Sequence, residues 1–333
     1  MERKFIIKGT GKYLPKKIIK SEEFDKRFNL KDGTTEKRTG VKKRHYIESE
    51  TNAEMAKYAI LEALKEAKME LSEIDLILST SGSYQQPIPC NASLIHEELG
   101  LQGTGIPAFD VNSTCLSFLV GLDMITYPLQ FGKYKNIVIV SSEIASIGLN
   151  FESFEGSSLF GDGAVAFIIS QDTENQGSKI IASRIETYSE GAHYTEIRGG
   201  GSTIPPRKYD ELGESEFTFD MDGKAVVKLS MKHGNLFMKK LLEQAKCTMD
   251  DIAFVVPHQG STLAMKLIGE KMMWPKEEER VIKIVGDYGN IVAACMPLAW
   301  HELRMSGKLK KKDKIILVGT SAGVSIGGMV IEI

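Results

Sequence analysis

Short apolar runs alternate along the chain with segments in which apolar residues recur every three or four positions. The run at residues 74–78 follows residues 53–69, where small and aliphatic side chains recur at helical spacing. Such runs predict buried strands, and the helical spacing predicts amphipathic helices packed on them. Strands that alternate with helices predict an α/β fold with parallel sheets covered on both faces. Further strands are predicted at residues 136–140 and 164–169, and further helices at residues 91–99 and 225–244.

The second half of the chain repeats the order of elements in the first. A polar segment at residues 171–177, which ends in glycine, marks the join. We therefore expect two duplicated halves, residues 1–175 and 176–333, that pack together as a five-layered αβαβα body. The segments that align are residues 71–83 with 249–261 and residues 135–142 with 314–321.

Charge and cysteine usage exclude several classes of protein. The chain has 42 lysine and arginine residues against 44 aspartate and glutamate residues, a net charge of -2. This balance gives no general attraction to nucleic acid or to an anionic membrane. No apolar run is long enough to span a bilayer, and the N-terminus lacks a signal-peptide pattern, so we expect a cytoplasmic location. The four cysteines are too widely spaced to predict a zinc site or disulfides: Cys90, Cys115, Cys247 and Cys295.

Cys115 lies where a predicted strand turns into a predicted helix. An apolar run at residues 106–111 leads through three small polar residues to the cysteine, and an apolar segment at residues 116–122 follows it. The first N–H groups of a helix lack partners and carry partial positive charge, which stabilises a thiolate. We therefore expect a nucleophilic Cys115 with a lowered pKa, whereas a single cysteine more commonly just fills space in a core.

Two further polar residues follow apolar runs in the second half. His258 comes after residues 254–256, and Asn290 comes after the run at residues 281–289. Sites on parallel α/β sheets form at the carboxyl ends of the strands. Considered alone, His258 is more typical of a histidine with a structural role, and Asn290 is more typical of an asparagine in a turn. Together with Cys115 they supply a nucleophile, an imidazole and a carboxamide donor, which suit acyl transfer through a thioester.

The segment Gly319-Thr320-Ser321-Ala322-Gly323 offers a rival nucleophile. It matches the Gly-x-Ser-x-Gly elbow of serine hydrolases and follows a predicted strand. The residues after it are glycine-rich and strand-like, and no aspartate or histidine follows Ser321 to complete the hydrolase order. We therefore expect these glycines to let the backbone approach the site, with the N–H of Gly323 as a candidate oxyanion donor.

The chain resembles the β-ketoacyl-acyl-carrier-protein synthase III family. The motifs that carry the resemblance are residues 37–45, residues 110–115, Pro257-His258-Gln259, the Gly289-Asn290 pair and the glycine-rich C-terminus. The resemblance spans nearly the whole chain. It implies the thiolase fold, with two duplicated halves and the site between them, and a homodimer.

The same resemblance implies roles for the candidate residues. Cys115 would be the acylated nucleophile, and His258 and Asn290 would bind the carbonyl of a malonyl thioester and assist its decarboxylation. The backbone N–H groups of Cys115 and Gly323 would form the oxyanion hole. No metal or bound cofactor is implied. The substrates would be an acyl-CoA or acyl-ACP and a malonyl thioester, with an acyl carrier protein as partner.

Departures from the family pattern indicate a specialised member. Thr34 stands where a tryptophan commonly stacks on coenzyme A, and Leu263 stands where a basic residue commonly lies at the carrier-protein entrance. Gly260 and Ser261 replace the usual Ala-Asn. Alternative activities are transfer of the acyl group to an alcohol or amine, and joining of two acyl chains without decarboxylation. A silent subunit of an active synthase is a third hypothesis.

The region at residues 199–223 breaks the alternating pattern. Its three glycines and two prolines predict a long surface loop, which either covers the site or is a plain insertion. Arg207 and Lys208 in this loop fit a contact with an acidic carrier protein and a solvated loop equally well.

Overall fold

The computed structural model describes residues 2–333, which form thirteen strands and eleven α-helices. The strands are β1 (Arg3–Tyr13), β2 (Lys17–Lys20), β3 (Lys43–Tyr46), β4 (Leu76–Ser79), β5 (Ala108–Asp110), β6 (Asn136–Glu143), β7 (Gly163–Gln171), β8 (Ser178–Thr187), β9 (Thr195–Glu196), β10 (Asp220–Met221), β11 (Ile252–Pro257), β12 (Lys314–Ser321) and β13 (Ser325–Glu332). The helices are α1 (Ser21–Arg27), α2 (Thr34–Thr39), α3 (Asn52–Ala67), α4 (Asn91–Glu98), α5 (Ser117–Gln130), α6 (Phe154–Ser157), α7 (Tyr209–Leu212), α8 (Gly223–Ala245), α9 (Thr262–Lys271), α10 (Val285–Tyr288) and α11 (Cys295–Met305). The strands and helices predicted from the apolar pattern are confirmed, with ends that differ by a few residues, except for the strand expected at residues 281–289.

Nine strands hydrogen-bond in the order β11-β12-β13-β8-β1-β7-β6-β4-β5. Strand β4 is parallel to β5 and β6, and β11 is parallel to β12, but every other neighbouring pair is antiparallel. The prediction of parallel sheets is therefore wrong for the middle of the sheet. The reason is connectivity, since β13 returns from β12 through a three-residue turn, and a turn that short joins only antiparallel strands.

The helices and strands pack in five layers. Helices α5 and α11 lie in the middle and bury one face of the strands of each half, including Ile139 of β6 and Leu317 of β12. Helix α3 covers the opposite face of the first half, where Val138 and Val140 point. Helix α8 covers the opposite face of the second half, where Ile316 and Val318 point. Because both faces are covered, the inner strands are apolar throughout rather than alternating.

The duplication predicted from the sequence is visible in local structure. A 3₁₀ turn, Leu71–Glu73, precedes β4, and a matching turn, Met249–Asp251, precedes β11, each with an acidic side chain that caps its own N-terminus. Strand β1 pairs with β7 and, at residues 3–5, with β8, so hydrogen bonds run continuously between the halves. The division at residues 175 and 176 stays a prediction.

Candidate active site

Cys115 lies in a 3₁₀ turn, Thr114–Leu116, between β5 and the start of α5. The turn begins with Thr114 at φ 48°, a left-handed conformation that is uncommon for a β-branched residue. The side chain of Asn112 accepts the N–H of Thr114 (2.8 Å) and stabilises this turn. The cysteine thus sits at a tight corner before a helix, as the sequence predicts.

The pKa of Cys115 runs against the prediction. Burial and the nearby carboxylate of Glu143 raise it to about 12, and the backbone N–H groups of Cys115 and Ala322, which face the sulfur, offset only part of that rise. The expectation of a lowered pKa is therefore wrong, because desolvation of the thiolate outweighs the partial charge at the start of a helix. Cys115 rests as a neutral thiol.

The second half contains a counterpart of the Cys115 corner. A 3₁₀ turn, Val292–Ala294, precedes α11, and Val292 has φ 40°. The side chain of Asn290 accepts the N–H of Val292 (3.0 Å), just as Asn112 does for Thr114. The two turns pack against each other. By this correspondence Ala293 takes the place of Cys115, so only the first half has a cysteine at the corner position.

Asn290 is buried, with 6% of its surface exposed, but it does not follow a strand. The run before it was predicted as a strand; instead Val281 makes a single bridge to β11 and residues 285–288 form α10. Oδ1 of Asn290 contacts the N–H of Val292 and the thiol of Cys295 (3.3 Å), whereas Nδ2 makes no hydrogen bond within residues 2–333. The carboxamide therefore has free N–H groups to offer a ligand.

His258 follows β11 directly, and its backbone N–H donates to the carbonyl of Val318 (2.8 Å). The Cβ atom of His258 packs against Gly319, and a Cβ added at position 319 would lie only 2.6 Å from it. Burial lowers the pKa of His258 to about 4, and Nδ1 has no hydrogen-bond partner in the described chain. The imidazole is therefore neutral near pH 7 and can donate one N–H.

Cys295 connects the candidate residues. Its sulfur contacts Oδ1 of Asn290 (3.3 Å) and lies 3.9 Å from the carbonyl oxygen of Gln259, the neighbour of His258. It is also close enough to Cys115 for that thiol to affect its pKa, which burial raises. The buried thiol of Cys295 thus contacts the Asn290 carboxamide and the backbone next to His258, and it lies near Cys115.

Glu143 is a site residue that the sequence reasoning missed. It ends β6, and its two oxygens accept the backbone N–H groups of Gly82 (2.6 Å), Ser83 (2.9 Å) and Ala293 (3.3 Å), together with the Ser83 hydroxyl (2.6 Å). Burial raises its pKa to about 7. The strand-end criterion that selected His258 applies equally to Glu143 and would have found it.

The rival nucleophile Ser321 ends β12, and the chain then turns back as β13 rather than entering a helix. The hydrolase elbow is therefore excluded, as the sequence predicts. Gly323 lies in this turn at φ 122°. Its neighbour Ala322 is the residue whose N–H faces the Cys115 sulfur. The role of Gly323 as an oxyanion donor stays a prediction.

Two of the positions that depart from the family pattern, Thr34 and Leu263, lie on surface helices. Leu263, on α9, has 59% of its surface exposed. Helix α9 packs against α2, where Gly40 approaches Thr262 so closely that no side chain would fit. Thr34 begins α2. The loop at residues 199–223 is not structureless, since it contains α7 and β10 and packs Phe219 against Phe160.

Residues 2–333 hold neither a cluster of metal ligands nor a membrane-spanning helix. No group of three or more His, Cys, Asp or Glu residues there could hold a metal ion. None of the helices in that range is long and apolar enough to cross a membrane.

Known proteins resemble the chain over its full length. Family models match at two places: 3-oxoacyl-[acyl-carrier-protein (ACP)] synthase III at residues 109–189, and the C-terminal part of that synthase at residues 242–333. The chain is 30% identical to the β-ketoacyl-[acyl-carrier-protein] synthase III of Aquifex aeolicus over 324 residues, which is 97% of this chain and 98% of the relative. It is 28% identical to that of Clostridioides difficile, over 100% of this chain and 99% of the relative. The crystal structure of the Aquifex aeolicus 3-oxoacyl-[acyl-carrier-protein] synthase III superimposes with a TM-score of 0.87 at 28% identity, covering 99% of this chain and 100% of that one.

Proposed function

Since the chain belongs to the β-ketoacyl-[acyl-carrier-protein] synthase III family, we propose a reaction in which each candidate site residue has a defined part. The chain is an acyl-transferring condensing enzyme with the thiolase fold. In the proposed reaction an acyl group passes from an acyl thioester to Cys115 and is then condensed with a malonyl thioester, most simply malonyl-ACP. The observation that supports the proposal is the position of Cys295, whose sulfur contacts the Asn290 carboxamide and the backbone next to His258 and lies near the Cys115 thiol.

The first step is a thioester exchange at Cys115. A bond forms between Sγ and the acyl carbon, the bond from that carbon to the donor sulfur breaks, and the thiol proton leaves with the donor thiolate. The tetrahedral intermediate carries its negative charge on oxygen, where backbone N–H groups stabilise it. The N–H groups of Cys115 and Gly323 are assigned to this task. Because Cys115 rests as a thiol, its deprotonation belongs to this step rather than to the resting state.

The second step is decarboxylation and carbon–carbon bond formation. The bond between the malonyl carboxylate and the α-carbon breaks, carbon dioxide leaves, and the electron pair moves into an enolate. The neutral imidazole of His258 and Nδ2 of Asn290 donate hydrogen bonds to the enolate oxygen, each contributing about 10²-fold or more. The α-carbon then attacks the acyl carbon and expels the Cys115 thiolate, which regains a proton.

A second copy of the chain and an acyl carrier protein are the proposed partners. Strand β5 is an edge of the nine-stranded sheet, and its Phe109 has 39% of its surface exposed. An edge strand with an exposed aromatic side chain is suited to pairing with the same strand of a second copy. Light scattering of the purified chain tests this pairing, and a Phe109→Lys variant should shift the mass toward a monomer.

The proposed reaction of thioester substrates needs no metal ion. A cytoplasmic location is also part of the proposal.

Intact-protein mass spectrometry with a ladder of acyl thioesters tests the function. We expect the wild-type chain to gain one acyl mass and Cys115→Ala to gain none. We expect His258→Ala to be acylated normally but to release no carbon dioxide from a malonyl thioester. Acylation that persists in Cys115→Ala would reject the nucleophile. Acyl products that form without malonyl thioester would instead support one of the two alternatives, transfer to an alcohol or amine or the joining of two acyl chains, which the mass of the product distinguishes.

A further inference from the structure

The thiol of Cys295 is held between two hydrogen-bonding groups at the start of α11. The side chain has 1% of its surface exposed. Its sulfur accepts the N–H of Ile291 (2.9 Å) and is 3.3 Å from Oδ1 of Asn290. The only other acceptor nearby in the described chain is the carbonyl oxygen of Gln259, at 3.9 Å. Oδ1 of Asn290 is therefore the better-placed acceptor for the S–H proton.

These contacts distinguish the two ends of the Asn290 carboxamide. Oδ1 receives both the N–H of Val292 (3.0 Å) and the S–H of Cys295. If the carboxamide were rotated by half a turn, Nδ2 would face that backbone donor and lose both bonds. Nδ2 is therefore directed to the opposite side, where no acceptor among residues 2–333 takes its protons.

We propose that Cys295 is a positioning residue, whose S–H bond to Oδ1 holds the Asn290 carboxamide with its N–H groups toward the thioester oxygen. The inference rests on the proposed function, in which those N–H groups stabilise the enolate. In this inference Cys295 acts in the condensation step and has no part in the acylation of Cys115. Acylation of Cys115 does not use Asn290 and so does not depend on this bond.

The environment of Cys295 keeps the donor in place. Burial raises its pKa, and the neighbouring Cys115 and Glu143 disfavour a second negative charge. The sulfur therefore retains its proton over the working pH range. A serine at this position would keep an O–H donor in nearly the same place, whereas an alanine would remove it.

The experiment compares Cys295→Ala, Cys295→Ser and a control, Cys247→Ala, in the full-length chain. Cys247 is partly exposed beyond the end of α8 and packs against the apolar cluster under that helix, which contains none of the candidate site residues. Two rates are measured separately: acylation of Cys115 by intact mass, and carbon dioxide release from malonyl thioester by the acylated enzyme. We expect Cys295→Ala to slow carbon dioxide release about five- to tenfold, the effect of one hydrogen bond, with acylation within twofold of wild type. We expect Cys295→Ser to restore release to within twofold and Cys247→Ala to match wild type.

A double-mutant cycle separates positioning from a loss of packing. In an Asn290→Ala background, Cys295→Ala should slow release no further, because the group that it positions is gone. The inference is overturned if alanine and serine at 295 slow release equally, if Cys295→Ala slows acylation as much as release, or if its effect persists in the Asn290→Ala background. If the acylated wild-type enzyme releases no carbon dioxide at all, the proposed function fails and this inference fails with it.

Discussion

The carboxylate of Glu143, at the end of β6, accepts the backbone N–H of Ala293 in the opposite half of the chain (3.3 Å). Ala293 occupies, in the second half, the place that Cys115 occupies in the first. A single buried carboxylate therefore joins the second corner turn to the backbone of Gly82 and Ser83, and at the same time raises the pKa of the Cys115 thiol. The candidate site is held together by a group that also makes the proposed nucleophile, Cys115, harder to ionise.

Removal of the Glu143 charge should lower the pKa of Cys115. A negative charge nearby opposes thiolate formation, so Glu143→Gln favours the thiolate at any given pH. Below the pKa of about 12, labelling by iodoacetamide rises with pH in proportion to the thiolate fraction. A drop of one pKa unit would make labelling about tenfold faster at fixed pH. Peptide mass spectrometry of Cys115, followed from pH 8 to 10, gives the rate.

Asp162→Asn is the matched control for this measurement. Asp162 is also buried, has a pKa that burial raises, and accepts hydrogen bonds from Ser146 and Ile47, but it does not act on the Cys115 thiol. We expect its variant to label like wild type. Equal acceleration in both variants would mean that loosened packing, rather than the Glu143 charge, controls the cysteine.

Gly319→Ala should impair condensation while sparing acylation. An added Cβ would lie 2.6 Å from Cβ of His258, so the imidazole must move. Displacement of a catalytic group by about 1 Å costs up to about 100-fold in rate. We expect carbon dioxide release to fall by at least tenfold, measured on enzyme that is already acylated. Gly260→Ala serves as the control, because a Cβ added there would have Cβ of Ala264, at 4.0 Å, as its nearest neighbour. An unchanged rate of carbon dioxide release in Gly319→Ala would place His258 outside the reaction.

Gly11→Ala should destabilise the fold without acting on the site. A Cβ at Gly11 would meet the carbonyl oxygen of Ala59 at 2.3 Å, so α3 could no longer pack directly on β1. Overpacking of this kind costs about 1–3 kcal/mol in the free energy of unfolding. Urea denaturation measures the loss. Gly201→Ala, where an added Cβ meets nothing within 4 Å, should stay within about 0.5 kcal/mol of wild type.

The elements of the fold could be predicted because they depend on local pattern. Helix α3 follows from the spacing of its alanines, and the correspondence of β4 with β11 follows from similar residues in similar order. The antiparallel pairing of β1 with both β7 and β8 could not be predicted, because it joins residues far apart in the chain. The apolar pattern places Asn290 at the end of a strand, but residues 285–288 form a short helix instead, because contacts with other segments override the local pattern there.

The sequence by itself determined the alternation of strands and helices, the duplication, and the chemical kinds of Cys115, His258 and Asn290. Each of these depends on residue type and on spacing along the chain. Only the tertiary structure decided the protonation of Cys115 and the direction of the Asn290 carboxamide. Both depend on burial and on partners from other segments, Glu143 and Cys295, because desolvation and hydrogen bonding act between groups that the fold brings together.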